Sequence, residues 1–536
     1  MGSLGDFEYP LVGNDDPAVI SGFKRVCIVG AGVTGLCVCK HLLQHGVDSV
    51  VVLEKEESVG GVWRNTFAST TLQTHKEAYQ FSDFPWPAGT RRYPTHLEVM
   101  DYLHSYATKF HIMKRVQFSS RVTELRRLGV VDKRNWLDVG PACCANWEIQ
   151  FRRAREAVPQ LLYCEFLVLC VGHFGDVPRL PRYNYNTEDF RGQVLHSMDY
   201  GKLDDKAAQA LLTGKRVVVV GLRKSALDVA MEAAVANSAA AHDGESQSAC
   251  TIVFRTPHWV NANDKAFGVP LGSLVRTRFS DLLVPKQGQP LLRGIISTLL
   301  TPLRWAISAF VELHLLRTLP LRQLGMVPDT RATFLEEFKS CKLTLAPPHF
   351  FEACVQRRIL LRRTPEWSFA PDGVRLANGE VVQADLVVLC TGFEGQKKLE
   401  SLLGPKEFAN LFKDHDNVIP LYRGVIPPHV PHLAIVGFQE GYSNVFNAEM
   451  GARWLAHLLS SKITLPSVQQ MAMVAQQWAR DSRVFTSNFN TKACSNPMVI
   501  WQADHICRDI GWNPRRKKGI LKELFEPYSN MDYKDE

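Results

Sequence analysis

Two glycine-rich turns in the chain have the spacing of nucleotide-binding turns. The first is G-x-G-x-x-G, formed by Gly30, Ala31, Gly32, Val33, Thr34 and Gly35. In such a turn the glycines allow a tight bend, close backbone approach to a pyrophosphate and close helix packing. The following helix adds partial positive charge at its N-terminus. Glu54 and Lys55 lie about 20 residues beyond, where a carboxylate can bind ribose hydroxyls. This turn predicts a site for an adenine dinucleotide.

The second turn departs from the pattern at its middle position. Its candidate nucleotide-binding residues are Gly221, Arg223, Lys224, Ser225 and Ala226. Arg223 replaces the middle glycine, where a side chain obstructs close backbone approach unless the guanidinium itself grips a phosphate. The alternative is a second module that has become purely structural.

The end of the next strand bears on coenzyme choice. Arg255 and Thr256 stand where NADPH-binding folds place a cation for the 2′-phosphate, and no acidic residue occupies that end. This favours NADPH over NADH and argues against a purely structural second module.

The elements that must position these turns are apolar runs typical of buried parallel strands. Val26–Val29 precedes the first turn, and Ser49–Leu53 follows its helix. The same order recurs at Arg216–Val220 and Thr251–Phe254, and Asp372-Gly373 and Asn378-Gly379 signal a small antiparallel element. The chain is therefore predicted to be α/β, with two Rossmann-like dinucleotide-binding domains, the second inserted in the first.

The domain boundaries are predicted from where the repeated order of strand, glycine-rich turn and helix begins and ends. We expect a flexible arm at 1–23, a first domain at 24–200 and 386–510, a second at 201–385, and a tail at 511–536. The second domain includes a mostly helical insertion at 264–345. Its apolar part, Leu291–Leu321, is expected to pack as a helical pair, with a peripheral membrane or oligomer contact as the alternatives.

Composition excludes several classes of protein. The 536 residues have a net charge of only +8 and no basic stripe, which argues against a nucleic-acid partner. The 17 histidines show no metal-ligand spacing, so no metal is expected. The 13 cysteines include no CxxC pair, which predicts reduced thiols and a cytoplasmic protein, with association at the cytosolic face of a membrane as a further expectation. Arg515–Lys518 is expected to be a solvated patch rather than a targeting or lipid signal.

Several stretches together resemble the flavin-containing monooxygenases. They are the fingerprint Phe190–Tyr200, Gly60–Arg64, Phe81–Pro87 and Cys390–Phe393, in the family's order between about residues 24 and 510. The resemblance looks closest to plant members, particularly the pathogen-defence branch that N-hydroxylates a cyclic amino acid. Tyr200 ends the fingerprint where Baeyer–Villiger monooxygenases have Trp, which argues against that class.

The resemblance implies an enzyme with FAD and NADPH that uses O₂ to N-oxygenate a small amine or amino acid through a C4a-hydroperoxyflavin. It also adds Gly61, Val62, Trp63, Thr391 and Gly392 to the cofactor-binding residues. His196 of the fingerprint is expected to link the domains rather than to do chemistry.

Gln73 is the catalytic candidate, standing where many relatives have an Asn that faces the flavin. Gln keeps an amide donor and acceptor but adds a methylene. It either substitutes for that Asn or merely lines the pocket.

Other reactions remain open at this point. They are S-oxygenation of a thioether, auxin-type oxidative decarboxylation of a 2-oxo acid, and the role of an FAD/NADPH flavoprotein that is not a monooxygenase. The lack of CxxC argues against a disulfide reductase. The sequence does not identify the substrate, the oxygenated product or the oligomeric state.

Overall fold

The computed structural model describes residues 19–128, 145–181, 187–240, 250–286, 288–329, 333–412, 419–485 and 494–534. Residues 1–18 of the arm predicted at 1–23 lie outside these ranges, whereas residues 19–23 belong to the first strand, Val19–Val29, and not to an arm. In chain order the strands are β1 (Val19–Val29), β2 (Val50–Leu53), β3 (Val116–Gln117), β4 (Ser120–Arg127), β5 (Trp147–Arg153), β6 (Gln160–Leu169), β7 (Gln193–His196), β8 (Val217–Val220), β9 (Cys250–Phe254), β10 (Val260–Asn261), β11 (Lys265–Ala266), β12 (Val269–Pro270), β13 (Thr344–Leu345), β14 (Ile359–Arg363), β15 (Trp367–Ala370), β16 (Gly373–Leu376), β17 (Val381–Gln383), β18 (Leu386–Leu389) and β19 (Leu433–Ile435).

The helices follow the same numbering. They are α1 (Val33–Gln44), α2 (His96–Lys109), α3 (Ser197–Tyr200), α4 (Asp205–Leu212), α5 (Lys224–Ala240), α6 (Ser273–Arg276), α7 (Arg278–Leu282), α8 (Leu291–Leu299), α9 (Thr301–Thr318), α10 (Phe334–Lys339), α11 (Phe350–Val355), α12 (Gly395–Leu411), α13 (Asn444–Leu459), α14 (Val468–Phe485), α15 (Val499–Asp509) and α16 (Ile520–Phe525).

The first sheet carries the first glycine-rich turn at the end of β1. Its order is β3-β2-β1-β6-β5-β4, and β19 also pairs with β6. The pairs β1–β2, β1–β6 and β6–β19 are parallel, whereas β4–β5 and β5–β6 are antiparallel. The end of β1 is buried on both faces because its residues are continuously apolar: Cys27 and Ile28 are fully covered. Helices α1 and α13 pack against each other over this sheet.

The second sheet is entirely parallel and carries the second turn at the end of β8. Its order is β14-β9-β8-β18-β7. Because β19 returns to the first sheet after β18, the second domain is inserted in the first, as predicted. The second sheet also takes β7 and β18 from outside the predicted segment 201–385. The turns at Asp372-Gly373 and Asn378-Gly379 join β15, β16 and β17 into an antiparallel sheet, as predicted.

Helices α6 to α10 fall within the insertion at 264–345. Within the described ranges no single helix is long and apolar enough to cross a membrane; α8 and α9, bent by 44°, meet that criterion only as a pair. Part of their apolar surface is uncovered: Leu291 is 82% exposed, Leu299 73% and Trp305 61%.

The segment after residue 510 packs against the rest of the protein. Tyr528 and Tyr533 are buried, and Arg278 of α7 contacts both Asp504 and Glu523. Lys517 lies 2.8 Å from Glu526 and 2.9 Å from Asp532, with its side chain only 6% exposed. The prediction of a solvated patch at Arg515–Lys518 is therefore wrong for Lys517, because two carboxylates draw it inward.

Two cysteines are joined, contrary to the prediction of reduced thiols. Cys341, just after α10, forms a disulfide with Cys494, 153 residues further along the chain. The bond ties the insertion to the segment that leads into α15.

Candidate active site between two dinucleotide modules

The first glycine-rich turn shows which glycines the protein itself requires. A Cβ on Gly35 would lie 1.8 Å from the Gly30 carbonyl oxygen, and Gly30 has a φ of +102°. Gly32 is different, because a Cβ there would meet only Gly61, at 3.5 Å from its Cα. Internal packing therefore explains Gly30 and Gly35 but leaves Gly32 to be explained by a ligand.

Glu54 lies beside this turn at the end of β2. The side chain is buried, its Oε2 accepts the Ala31 N–H at 2.6 Å, and its Oε1 accepts the Glu56 N–H at 2.9 Å. Each carboxylate oxygen keeps a second lone pair for a ribose hydroxyl. The structure thus joins the predicted acid directly to the predicted turn.

Helix α1 begins immediately after Gly32, so Val33 and Thr34 form its first turn. Thr34 packs tightly against Gly437: a Cβ on Gly437 would lie 2.2 Å from the Thr34 Oγ1. This contact fixes the helix start against the segment that follows β19.

The predicted residues 61–63 form a short 3-10 helix against the first turn. The Gly60 N–H donates to the Ala31 carbonyl at 3.1 Å, and the Trp63 indole donates to the Tyr79 hydroxyl at 2.8 Å. Val62 is 53% exposed and makes no comparable contact. The hydrogen bond holds the Trp63 ring beside Tyr79 on the side facing the second module.

Lys55 is engaged by the protein itself. It pairs with Asp176, which also pairs with Lys398 at 2.6 Å. Burial raises the pKa of Asp176, but the two lysines outweigh that effect and lower it to about 2. A cofactor role for Lys55 therefore competes with this ion pair.

The second turn keeps its outer small residues for packing reasons. A Cβ on Gly221, whose φ is +134°, would lie 2.5 Å from the Cys390 carbonyl oxygen, and Ala226 is fully buried. Arg223 is accommodated at the middle position, where its carbonyl accepts the Ala226 N–H at 2.8 Å and so begins α5. Burial lowers the pKa of Arg223, and Glu440 and Glu337 raise it.

Lys224 is drawn toward its own helix. Its ammonium lies 2.5 Å from Asp228, whose side chain is inaccessible to solvent. Burial raises the pKa of Asp228 to about 6, against the opposing charge of Lys224. Arg255 and Thr256, by contrast, are exposed at the end of β9, and among the described residues Arg255 has no ion-pair partner.

A cavity of about 1520 Å³ lies between the two modules. This exceeds the roughly 300–1,000 Å³ of sites for one small molecule. The predicted residues that line it are Trp63, Gln73, Gly221, Arg223, Lys224, Ser225, Arg255, Thr256, Thr391 and Gly392. The first turn itself, Glu54, Lys55, Val62, Ala226 and the buried His196 lie outside this lining. Trp63 therefore connects the first site to the cavity.

Gln73 lies on the cavity wall and is exposed to it. Its side-chain oxygen accepts the Leu345 N–H of β13 at 3.2 Å. The oxygen of the amide is thus held by the insertion, and the residue lines the cavity.

The elbow after β18 closes another part of the wall. The Thr391 hydroxyl donates to the Arg179 carbonyl, and the Arg179 N–H donates to the Gly392 carbonyl at 2.9 Å. Gly392 has a φ of +89°, a conformation that favours glycine. These bonds join the elbow after β18 to Arg179, in the segment that follows β6, and both lie in the cavity lining.

The sequence analysis missed several lining residues. They are His173, Asp264, Lys342, Glu440, Tyr442 and Asn496. His173 directly follows Gly172, a glycine that comes just after the apolar run of β6, and a glycine in that place is a signal the sequence offers. His173 and Glu440 approach to 3.6 Å from elements far apart in the chain, which no local pattern reveals.

The two modules fit the two predicted cofactors. The first has a glycine that only a ligand explains, a helix N-terminus and a buried acid, as an FAD pyrophosphate and ribose require. The second has cations and no acid at the end of β9, as a 2′-phosphate requires.

Comparisons with known proteins agree with this arrangement. Residues 23–301 match the family "Flavin-binding monooxygenase-like". The chain is 37% identical to the probable flavin-containing monooxygenase 1 of Arabidopsis thaliana, over 95% of this chain and 96% of that protein. It is 24% identical to dimethylaniline monooxygenase [N-oxide-forming] 2 of Mus musculus, over 95% and 88%.

Solved structures share the fold at low identity. OTEMO in complex with FAD and NADP superposes with a TM-score of 0.66 at 17% identity, covering 92% of this chain and 98% of that one. The S-allyl-L-cysteine S-oxygenase of Allium sativum gives 0.56 at 16%, covering 92% and 89%.

The match to plant relatives over nearly the whole chain confirms the predicted enzyme class and its cofactors, FAD and NADPH. The protein belongs to the flavin-containing monooxygenase family.

Proposed function

We propose that this monooxygenase N-oxygenates an amine or amino acid in the cavity between its two modules. The observation that carries the proposal is the lining beside Gln73, where carboxylates (Asp264, Glu440) and cations (Arg223, Lys342) share one cavity. Such a lining offers partners to both charges of an amino acid. The branch of the family that N-hydroxylates a cyclic amino acid is the finer form of this proposal.

Asp264 is held in place for such a role. It receives hydrogen bonds from the Tyr93 hydroxyl at 2.6 Å and the Arg92 guanidinium at 3.0 Å. Burial raises the pKa of Asp264, but Tyr93 and Arg92 outweigh it and lower the pKa below its usual value. An ionised carboxylate at the cavity wall attracts the ammonium group of a substrate.

When bound, FAD supplies the redox chemistry: it takes a hydride from NADPH and activates O₂. The chain positions the reactants and excludes water. Arg255 binds the coenzyme's 2′-phosphate at the end of β9. Trp63 and Tyr79, edge to face with ring centroids 5.7 Å apart, form an aromatic wall. Gln73, whose amide oxygen is held by Leu345, offers its NH₂ group as a hydrogen-bond donor in the same cavity.

The test is product analysis by mass spectrometry. The FAD-loaded protein is incubated with NADPH, O₂ and a panel of amines, amino acids, thioethers and 2-oxo acids. The proposal expects addition of one oxygen to the nitrogen of an amine or amino acid. Oxygenated products from thioethers alone would contradict it and favour the S-oxygenation alternative, which the fold shared with the Allium enzyme supports. Products formed only from 2-oxo acids, by loss of the carboxyl group, would favour auxin-type oxidative decarboxylation.

We also propose that the protein works in the cytoplasm against an anionic membrane surface through α8 and α9. Exposed leucines and Trp305 favour insertion at a lipid interface, and the exposed Arg515 and Lys518 before α16 and Lys522 within it add positive charge. In vesicle flotation, Leu299→Glu with Trp305→Glu should abolish binding. Met473→Glu, at a 63% exposed position on α14, is the control. Equal flotation of all three proteins would contradict this contact.

A further inference from the structure

The Cys341–Cys494 disulfide joins two parts of the chain that meet at the active-site cavity. Cys341 lines the cavity and is half-buried, whereas Cys494 is 2% exposed. The other cysteines that the structure describes are buried. Burial raises the pKa of the Cys390 thiol, which also lines the cavity, and raises that of Cys354 to about 12, so both are poor nucleophiles. Cys341 and Cys494 are therefore the candidates for thiol–disulfide exchange at the cavity.

The disulfide is surrounded by bonds that link the cavity walls. Asn496, two residues after Cys494, donates to the Phe338 carbonyl at 3.0 Å and accepts the Tyr442 N–H at 2.7 Å. Ser495 donates its N–H to the Glu440 carbonyl at 2.8 Å. Cys494 thus belongs to a hub that joins α10 of the insertion to the loop before α13.

On its other side the disulfide anchors a strip of cavity wall, residues 340–345. The far end of this strip is fixed by β13, which pairs with β10, and by the Leu345 bond to Gln73. The near end is fixed by the disulfide at Cys341 and by the backbone N–H groups of Cys341 and Lys342, which donate to the Phe338 and Glu337 carbonyls at 3.3 and 3.0 Å. Burial lowers the pKa of Lys342 and Arg223 lowers it further, whereas Glu337 raises it.

The reduced state also has a place in this structure. Cys494 Sγ lies 3.1 Å from the Lys339 carbonyl oxygen, so a thiol formed there has an acceptor already in position. Disulfides in cytoplasmic proteins are usually transient, catalytic or redox-sensing rather than permanent staples.

We propose that Cys341 and Cys494 form a thiol–disulfide exchange site for a dithiol reductant, and that its redox state controls how tightly the cavity holds NADPH. One thiolate of the dithiol attacks the accessible Cys341 sulfur, the S–S bond breaks, and Cys494 leaves as a thiolate that takes a proton. The second thiolate then attacks the mixed disulfide, Cys341 leaves and is protonated, and the reductant becomes a disulfide. Two electrons pass to the protein and two protons are taken up.

Reduction removes the covalent tie at the near end of the strip at 340–345 and leaves it held by backbone hydrogen bonds, such as that of Lys342 to Glu337, while its far end stays fixed. Coenzyme binding must then order backbone that the disulfide had already ordered. If coenzyme binding must order the backbone of one additional residue, the lost conformational entropy weakens coenzyme binding by about tenfold. The inference rests on NADPH binding in the second module and does not depend on the substrate.

The test combines peptide mapping with calorimetry on the FAD-loaded protein. After oxidation with oxidised glutathione, differential alkylation should recover a linked Cys341–Cys494 peptide, and reduced dithiothreitol should release it. The Kd for NADP⁺ should rise about tenfold on reduction. Cys341→Ser and Cys494→Ser should show the weak Kd under both conditions, whereas Cys354→Ala should respond like wild type.

Free thiols at both positions after oxidation would overturn the exchange site. A Kd that reduction leaves unchanged would overturn the control of binding. Both readouts are independent of any organic substrate, so a failure to find an N-oxygenated product leaves them interpretable.

Discussion

The two dinucleotide modules are built alike but differ at the position that approaches a phosphate. In the first, Gly32 meets only Gly61 and leaves room, and the adjoining strand ends in the buried Glu54. In the second, Arg223 fills the equivalent position, and the adjoining strand ends in the exposed Arg255. The first module therefore has an uncharged turn beside the buried carboxylate of Glu54. The second has two cationic side chains, Arg223 and Arg255, at the corresponding positions. The comparison shows that a few residues in the turn and at the end of the adjoining strand are enough to suit the same fold to two different nucleotides.

The largest expected effect comes from filling the space at Gly32. Gly32→Val places a branched side chain where the pyrophosphate must approach, so the purified protein should contain almost no FAD. Gly32 has an extended backbone (φ −77°), which valine adopts readily. The measurement is the ratio of flavin absorbance to protein. Gly89→Val is the control, because a Cβ there meets nothing within 4 Å. Full flavin content in Gly32→Val would refute the assignment of the first module.

The next effect concerns coenzyme choice. Arg255→Ala removes charge-assisted hydrogen bonds to the 2′-phosphate, each contributing about 1.5–3 kcal/mol, which corresponds to a ten- to hundredfold loss of NADPH affinity. Because Arg255 is exposed, solvent screening places the loss near the lower end. NADH binding should barely change. Steady-state kcat/KM for both coenzymes is the measurement, and an equal loss for both would show that Arg255 does not read the phosphate.

Gln73, in the cavity between the modules, is expected to affect how much NADPH oxidation leads to oxygenated product rather than to hydrogen peroxide. Gln73→Ala should keep NADPH oxidation but divert more turnover to hydrogen peroxide, because the NH₂ donor is lost. Gln73→Asn, which restores an amide, should recover part of the coupling. Peroxide and product yields are measured against NADPH consumed. Unchanged yields in Gln73→Ala would make Gln73 a plain lining residue.

A further effect, on stability rather than on turnover, distinguishes how the two modules treat buried carboxylates. Asp176 in the first has a lowered pKa, whereas the pKa of Asp228 in the second is raised to about 6. A raised carboxyl pKa means that the folded state binds the proton more tightly, so this group's stabilisation falls as pH rises from about 4 to 6. The shift corresponds to about 3 kcal/mol. The difference in unfolding free energy between wild type and Asp228→Asn should therefore change by about that amount over this range; a constant difference would contradict it.

Sequence patterns predicted what is local. Strand, turn and helix are contiguous at both modules, so Gly30–Gly35, Gly221–Ala226 and Arg255 were found where the structure places them. Hairpins at Asp372-Gly373 and Asn378-Gly379 are equally local.

What the sequence could not predict depends on contacts between distant segments. The Cys341–Cys494 disulfide spans 153 residues without a motif. The pairing of β18 with β8 and of β7 with β18 sets the extent of the second sheet, and strand order leaves no mark in composition. The engagement of Lys55 by Asp176 and of Lys224 by Asp228 likewise required coordinates.

The central claim is that the first module holds FAD and the second holds NADPH. It is tested most directly by the ratio of kcat/KM for NADPH to that for NADH in the double variant Arg223→Ala/Arg255→Ala, measured on protein with its full flavin content. Removing both cations prevents one from masking the loss of the other. The account predicts normal flavin content and a collapsed preference for NADPH. A double variant that prefers NADPH as strongly as wild type would contradict it.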